Sequence, residues 1–443
     1  MTRRHARWVG GIVTLLLVGV VAGWIIRGVV RNRTATPAPV VDYGARMEAL
    51  AAAAGSGGAD GWPALTRALE QFETIETAMA SDQPSTPGFG SPPIGPRRIA
   101  RRLLDSGLPA TLDAVAAADH FVRPAGTTAW SLVNTDSSKA ARSLSRVLTA
   151  AMNAAHEAGD RVARDRAFEW ALAVARAHAN QPTIHDRLTA GAVAAHALET
   201  LRSQVHANGL DEDAADVLDA VMDRQLAWPA YATALEGERL SVHNLIQLMF
   251  TDDGHGDGRF SPDRASVAFG GTPRQNPFAG IGGVFLASRV ETTAIVDTYI
   301  DRLIADAACL PPARTFDSDD FLDDYGRRYV LVRAMLPGMA HAVRVDDKHA
   351  LQVAATRVVL AIERFRSRHD ALPGTLDDLG SVMGVVPVDP LHGGPLVYRR
   401  DPARVGGYVL YSTGYDATDD SADLPAVRTG GATHDGKDVL LTP

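Results

Sequence analysis

Apolar residues recur at helical spacing over most of the chain between residues 42 and 345. One stripe of apolar side chains runs through residues 144–155, and Gly159 beyond it suits a helix C-cap. Asp160 is placed to cap the next helix, and Asp211 opens an acidic run that favours the N-terminus of another. Successive helical hairpins of this kind predict a helical bundle or a short right-angle stack.

The pattern changes near the C-terminus. A helix is predicted over roughly residues 346–369, and turns and short strands follow it. Residues 396–398 and 408–411 alternate as the two strands of a hairpin, and residues 439–441 form a candidate third strand. We therefore expect a mainly α chain that ends in a small α+β module over residues 346–443.

The N-terminus differs from both regions because nineteen residues without a charge run from Trp8 to Ile26. This length crosses a hydrocarbon core of ~30 Å as a helix. Arginines flank the segment on both sides, and Trp8 and Trp24 stand near its ends, where indoles favour the headgroup region.

A cleaved signal peptide is the alternative for this segment. Its apolar region is usually shorter, roughly 7–15 residues, and small residues at a cleavage site follow it. Arginines follow here instead. We expect residues 1–30 to be a retained single-pass anchor in the inner (cytoplasmic) membrane, with the bulk of the chain exported.

Proline and glycine mark the irregular segments of the chain. Residues 31–41 are predicted to be a short linker after the anchor. Two further segments, 81–98 and 251–283, are predicted to be loops within a helical domain over residues 42–345.

Composition and charge narrow the classes of function. The chain is 46% hydrophobic and 22% charged, which fits a folded protein and excludes a disordered or multi-span membrane chain. Residues 1–41 hold six arginines and no acid, which leaves 38 basic and 52 acidic residues, a net charge of −14, beyond them. A basic footprint for nucleic acid is therefore absent from that part. With Cys309 as the one cysteine, an intrachain disulfide and a cysteine-based metal site are also excluded.

The loop after Phe250 resembles part of a calcium-binding loop. Asp253 and Asp257 take the first and fifth places of that template, but Arg264 stands at the twelfth, where a bidentate glutamate is expected. His255 at the third place is a poor ligand for a hard cation. The alternative is a surface loop whose carboxylates cap turns.

Glu238 is a candidate for acid–base chemistry in the helical domain. It falls inside an apolar helical stripe that includes Tyr231, Leu235 and Val242. A carboxylate in such a position is either paired with an arginine from a neighbouring helix or has a raised pKa, and raised pKa values cluster at functional sites. Nucleophile motifs and phosphate-binding glycine loops are missing from the sequence.

The order of motifs in the tail resembles the globular module of the major pseudopilin of type II secretion systems. The resemblance is confined to residues 358–443. It rests on a helix, a turn with paired leucines, a P-x-D-P motif and a Y-x-L-x-S-x-G-x-D strand, here Ala361–Arg366, Leu372–Leu379, Pro387–Pro390 and Tyr408–Asp416. It implies that the helix packs on the strands. The N-terminus departs from that family, since Leu16 stands where its members carry a glutamate.

The resemblance also implies a calcium site in the acidic loop that follows the strand. The residues at or near its motif positions are Ser412, Asp416, Asp419, Asp420 and Asp423. Asp435 and Asp438 are equally available oxygen ligands for a hard cation. A solvated acidic loop without a cation is the alternative.

Three functions are compatible with these features. The first is a membrane-anchored cell-envelope protein with a binding or assembly role, linked to type II secretion-like machinery, with envelope or secretion proteins as partners. The second is an anchored enzyme with an acid–base carboxylate site between the helical domain and the tail, which would use Glu238 or the carboxylates of residues 252–257. The third is a calcium-dependent stalk or receptor.

Overall fold

A computed structural model gives the architecture of the chain. It describes residues 18–23, 26, 41–55, 57–81, 95–124, 135–268, 286–325, 328–420 and 438–442. Helix makes up 69% and strand 5% of the structure, so the prediction of a mainly α chain is confirmed.

The helices follow one another closely along the chain. In order they are α1 (Tyr43–Ala53), α2 (Trp62–Ser81), α3 (Pro96–Leu104), α4 (Leu108–Ala117), α5 (Thr135–Glu157), α6 (Arg161–Ala179), α7 (Ile184–Asn208), α8 (Glu212–Gln225), α9 (Tyr231–Met249), α10 (Pro262–Ala268), α11 (Arg289–Ala307), α12 (Ser318–Asp324), α13 (Val330–Met335), α14 (Pro337–His369) and α15 (Gly380–Met383). Short 3-10 turns lie at Pro311–Ala313, Leu376–Leu379 and Val405–Gly407.

Local sequence signals explain several helix ends. The side chains of Asp160 and Asp211 accept hydrogen bonds from the backbone N–H groups of the first turns of α6 and α8. Gly159 and Gly209 follow α5 and α7 with φ of +71° and +73°, a region in which a β-carbon is disfavoured. The helices predicted on either side of these residues are therefore confirmed.

The described residues of the tail form an antiparallel sheet. Its strands are β1 (Val397–Arg400), β2 (Tyr408–Ser412) and β3 (Val439–Leu440), in the order β1-β2-β3. Val397 pairs with Tyr411, and Ser412 pairs with Val439. All five residues of β2 are buried, since this central strand is flanked by strands on both sides and covered by helices.

Among the described residues, the buried apolar side chains form two cores. The first combines α2 to α8 with the C-terminal part of α14 and the sheet, and it contains Val358, Leu396 and Leu410. Phe365 packs against the same core. The second core combines α9, α11 and the short helices after α11 with the N-terminal part of α14.

The helix α14 differs from its predicted extent. It begins at Pro337 rather than at residue 346, and its 33 residues contribute to both cores. Proline at the first position of a helix needs no N–H partner, so the helix starts at once after Leu336. The predicted division at residue 346 thus falls within a continuous helix.

The predicted anchor lies mostly outside the described residues. Its described part, residues 18–23 and 26, is helical. Across the part of the chain that the structure describes, no helix combines the length and the apolar composition needed to span a membrane. The predicted linker over residues 31–41 is described only at Val41, whose backbone exchanges two hydrogen bonds with the side chain of Gln247.

A buried arginine ties the tail to the helical body. The Arg202 side chain on α7 donates to the Leu441 carbonyl (3.1 Å), to the Gln352 carbonyl (3.1 Å) and to the Thr356 hydroxyl (2.9 Å). Arg202 is 2% exposed, and burial lowers its pKa to about 10. One guanidinium therefore satisfies polar groups of α14 and of the segment after β3.

We expect Arg202→Ala to lower the free energy of unfolding by about 3 kcal/mol, because it leaves several buried acceptors without a donor. Urea unfolding of the full chain measures the change. Arg146→Ala is the control, since this exposed arginine donates only to the neighbouring Ser143 hydroxyl in the described structure. The control is expected to change stability by less than about 0.5 kcal/mol. Equal losses in the two variants would contradict the proposed role of Arg202.

Candidate functional site

A cleft of about 770 Å³ opens where the C-terminal ends of α5, α7 and α14 meet. Its wall carries His156 from the end of α5, Arg161 and Arg164 from the start of α6, and Arg366 and Asp370 from the end of α14. The turns after α5 and α7, with Gly159 and Gly209, complete it. The cleft therefore lies beside the junction between the helical body and the tail.

A buried polar cluster stands directly behind this cleft. It consists of Glu363 and Arg366 on α14, His206 on α7 and Tyr408 on β2. Glu363, His206 and Tyr408 are fully buried. The carboxylate of Glu363 pairs with the Arg366 guanidinium, and the rings of His206 and Tyr408 meet edge to face with centroids 4.6 Å apart. The cluster thus joins a helix of the body to the central strand of the tail.

Gly406 permits the close approach of the tail to His206. It has φ of +79°, and a β-carbon there would lie 2.5 Å from the His206 carbonyl oxygen and 2.7 Å from the imidazole. Its own carbonyl accepts a hydrogen bond from Arg366 at 3.4 Å. A larger residue at this position would push the turn before β2 away from α7.

Burial sets the ionisation of the cluster. It raises the pKa of Glu363 to about 7, although Arg366 and the Tyr408 hydroxyl partly oppose the shift. Burial, reinforced by the charge of Arg366, lowers the pKa of His206 to about 4. Burial together with the Glu363 carboxylate raises the pKa of Tyr408 well above its usual range. His206 and Tyr408 are therefore neutral at pH 7, and Glu363 is the member that titrates.

The chemistry open to this cluster depends on access. Glu363 has a pKa suited to acid–base exchange near pH 7. Its side chain is nevertheless fully buried, and Arg366, 31% exposed, stands between it and the cleft. In this conformation the carboxyl cannot touch a molecule bound in the cleft, whereas the guanidinium can.

Glu238, the candidate found from the sequence, lies elsewhere. Its Oε1 accepts a hydrogen bond of 2.9 Å from the N–H of Ile184, the first residue of α7. Within the described residues no arginine forms an ion pair with it, and burial raises its pKa to about 7. Glu238 thus satisfies one of the free N–H groups at a helix start. The close approach is possible because the neighbouring Gly237 leaves room for the Pro182 carbonyl.

A second buried network was not found from the sequence. The Asp186 carboxylate takes two bonds of 3.0 and 2.9 Å from the Arg123 guanidinium, and it lies 3.0 Å from His178 Nδ1. Burial alone would raise the pKa of Asp186, but Arg123 and His178 outweigh it and hold this pKa well below its usual range. Arg123 is 63 residues away in sequence from its partner. No local pattern could have indicated this pair.

The carboxylates of the loop after Phe250 bind backbone N–H groups. Asp253 Oδ1 accepts from His255 and Asp257, and Asp257 Oδ1 accepts from Gly258 and from Val290 at the start of α11. These contacts are those of a loop whose carboxylates cap turns. The calcium hypothesis for Asp253 and Asp257 stays a prediction.

The acidic segment of the tail is described only in part. Ser412 is buried, and its hydroxyl accepts from the Gly414 N–H. Asp416, Asp419 and Asp420 are exposed. Asp416 accepts from the Thr418 N–H at 3.0 Å, and Asp419 accepts from the Tyr411 hydroxyl at 2.9 Å.

The predicted calcium ligands do not converge within the described part. Among those residues no three histidine, cysteine or acidic side chains are arranged to hold a metal ion. Asp423 and Asp435 lie outside the described residues, and Asp438 is 6% exposed beside β3. Calcium binding by the tail remains a prediction.

In comparisons with known proteins, no family model, curated protein or solved structure matches the chain. The support for each candidate function therefore comes from the sequence and the structure of this chain.

The raised pKa of Glu363 makes stability depend on pH. The protonated carboxyl is favoured in the folded state, so this contribution is complete below about pH 4.5 and is lost as the pH rises through about 7. Between pH 5 and pH 8 we expect the free energy of unfolding to fall by about 3 kcal/mol more in the wild type than in Glu363→Gln. Urea unfolding at each pH measures this difference.

Glu157→Gln is the matched control for Glu363→Gln. The Glu157 side chain is 59% exposed and pairs with an exposed arginine, so its removal should leave the pH dependence as in the wild type. If stability fell with rising pH as steeply in Glu363→Gln as in the wild type, the assignment of this pH dependence to the buried Glu363 carboxyl would be wrong.

Proposed function

We propose that this chain is a single-pass inner-membrane protein with a binding or assembly role at the cell envelope. Residues 8–26 are its retained anchor, the helical body is exported, and the pseudopilin-like tail is the head that meets a partner. Envelope or secretion proteins are the class of partner. The uncharged segment and its flanking arginines support the anchor.

One observation carries the binding role: the head presents an acidic face on a rigid support. Asp416, Asp419 and Asp420 are exposed immediately after β2, a strand buried along its whole length. The Tyr411 hydroxyl holds Asp419 in place. Charged groups fixed by a packed scaffold lose little conformational entropy when a partner binds.

The arrangement of the tail supports the resemblance to pseudopilins. A long helix packs its Val358 and Phe365 in the same apolar core as the two strands that follow. The Asp389 carboxylate of the P-x-D-P motif accepts from the Leu391 N–H, and it lies 3.1 Å from His392 Nε2. His392 in turn contacts the Thr413 hydroxyl at the end of β2. The motif therefore fixes the segment before β1 against the end of β2.

The enzyme alternative has less support from the geometry. Glu363 and Glu238 both have pKa values of about 7. Glu363 is closed off from the cleft, and Glu238 is engaged by a helix N-terminus. A carboxylate must reach the substrate to act as a general acid or base.

Photocrosslinking in intact membranes tests the proposal. A crosslinking residue replaces Asp420 in the head, and the same residue at Glu73, exposed on α2, is the control. We expect the head position to capture a discrete envelope protein, and Asp416→Asn with Asp419→Asn to abolish the capture. The full-length chain should also stay in the membrane after alkaline carbonate washing.

Two outcomes would contradict the proposal. Release of the chain with its N-terminus beyond residue 30 would show a cleaved signal peptide. Identical capture from the head and control positions, unaffected by the aspartate substitutions, would show that the acidic face is not a docking surface.

A further inference from the structure

The short helix α3 carries an unusual concentration of positive charge. Four arginines and no acid lie between Pro96 and Leu104, although the chain beyond residue 41 has a net charge of −14. All four are exposed, while Ile99, Ala100 and Leu103 are buried in the first core. The arginines are Arg97, Arg98, Arg101 and Arg102.

The four arginines share one face of α3. With about 100° of rotation for each residue, they cover an arc of roughly 140° opposite the buried residues. Leu104 borders this arc and is 44% exposed. Because the apolar side is fixed against α2, α4 and α5, the basic face points away from the protein. We call these four arginines the basic face.

Most of this charge lacks a counter-charge within the chain. Arg97 pairs with Glu157 at 2.7 Å, but both side chains are more than half exposed. In the described structure the side chains of Arg98, Arg101 and Arg102 have no hydrogen bond or ion pair. Arg357 and Arg364 on α14, by contrast, each bind two aspartates. Like charges three and four residues apart destabilise a helix, so α3 gains nothing from them in isolation.

We propose that the basic face docks onto the anionic phosphate headgroups of the membrane to which the chain is anchored, an inference that rests on the proposed function. The planar guanidinium donates two parallel hydrogen bonds to phosphate oxygens. An anionic surface repels the rest of this acidic domain. The basic face is therefore the side that turns toward the membrane.

Because the anchor keeps the body near the membrane, a weak attraction between the basic face and the headgroups is sufficient for docking. Residues 27–40 connect the predicted anchor to the folded body, and fourteen residues span at most about 50 Å. The body is thus held close to the surface, where the effective concentration of a tethered site is on the order of millimolar. Each arginine near an anionic surface contributes a factor of roughly five, so three give roughly a hundredfold preference for the docked orientation.

Quenching of a fluorophore by lipid headgroups tests this docking. The full chain with Cys309→Ser and Leu104→Cys is labelled beside the basic face and reconstituted into vesicles that carry a headgroup quencher. We expect strong quenching in mixed phosphatidylcholine and phosphatidylglycerol vesicles and little in phosphatidylcholine alone. High salt should abolish it, since the screening length falls from about 30 Å at 0.01 M to about 3 Å at 1 M.

Two controls isolate the basic face. Arg98→Gln, Arg101→Gln and Arg102→Gln together should reduce the docked-to-undocked ratio roughly a hundredfold, whereas Arg302→Gln, Arg333→Gln and Arg399→Gln together remove equal charge elsewhere and should not. A label on the native Cys309, which is exposed, should be quenched less than the label at position 104.

The outcomes separate the docking from the anchor. Flotation of the chain with neutral vesicles after an alkaline wash reports the anchor alone, and its failure would count against the proposed function. Equal quenching at positions 104 and 309, or quenching unchanged by the arginine substitutions, would overturn the docking. So would equal quenching in vesicles with and without phosphatidylglycerol, because the contact would then not depend on anionic headgroups.

Discussion

The long helix α14 is shared by the two apolar cores of the described residues. The N-terminal part of α14 completes the core built around α9 and α11, and its C-terminal part completes the core that holds α2 to α8 and the sheet. The tail sheet has only short strands within the described residues, and its apolar side chains pack in the same core as α14 and helices of the body. Its stability therefore depends on the helical body, and body and tail behave as one folding unit.

Buried polar groups specify the position of the tail on the helical body. Arg202 bonds to α14 and to the segment after β3, and Glu363 with Arg366 meets His206 and Tyr408 across the same junction. An apolar junction would tolerate sliding, whereas a shift of this tail would break the hydrogen bonds that Arg202 donates to α14 and to the segment after β3. The tail is consequently a fixed extension of the body, as the proposed binding role requires. A hinged head would lose that orientation.

The sequence predicted what local chemistry determines. Helix ends at Gly159 and Asp160, and the strands near residues 397 and 408, follow from caps, turns and alternation. The start of α14 was missed because its early apolar residues face the second core and those from Leu351 onward face the first, with the polar residues 346–349 between the two sets. The pairing of Arg123 with Asp186 links residues 63 positions apart. Glu238 also meets a backbone N–H rather than an arginine, a partner that a side-chain pattern cannot indicate.

Native-state hydrogen exchange tests the shared core most directly. Amides that open only on global unfolding exchange with the full free energy of unfolding, and those of independent subdomains exchange with less. If α14 unites body and tail, the amides of β2 and the central amides of α7 should exchange with the same free energy of opening. A lower free energy for β2, with α7 still protected, would show that the tail unfolds by itself and would contradict this account.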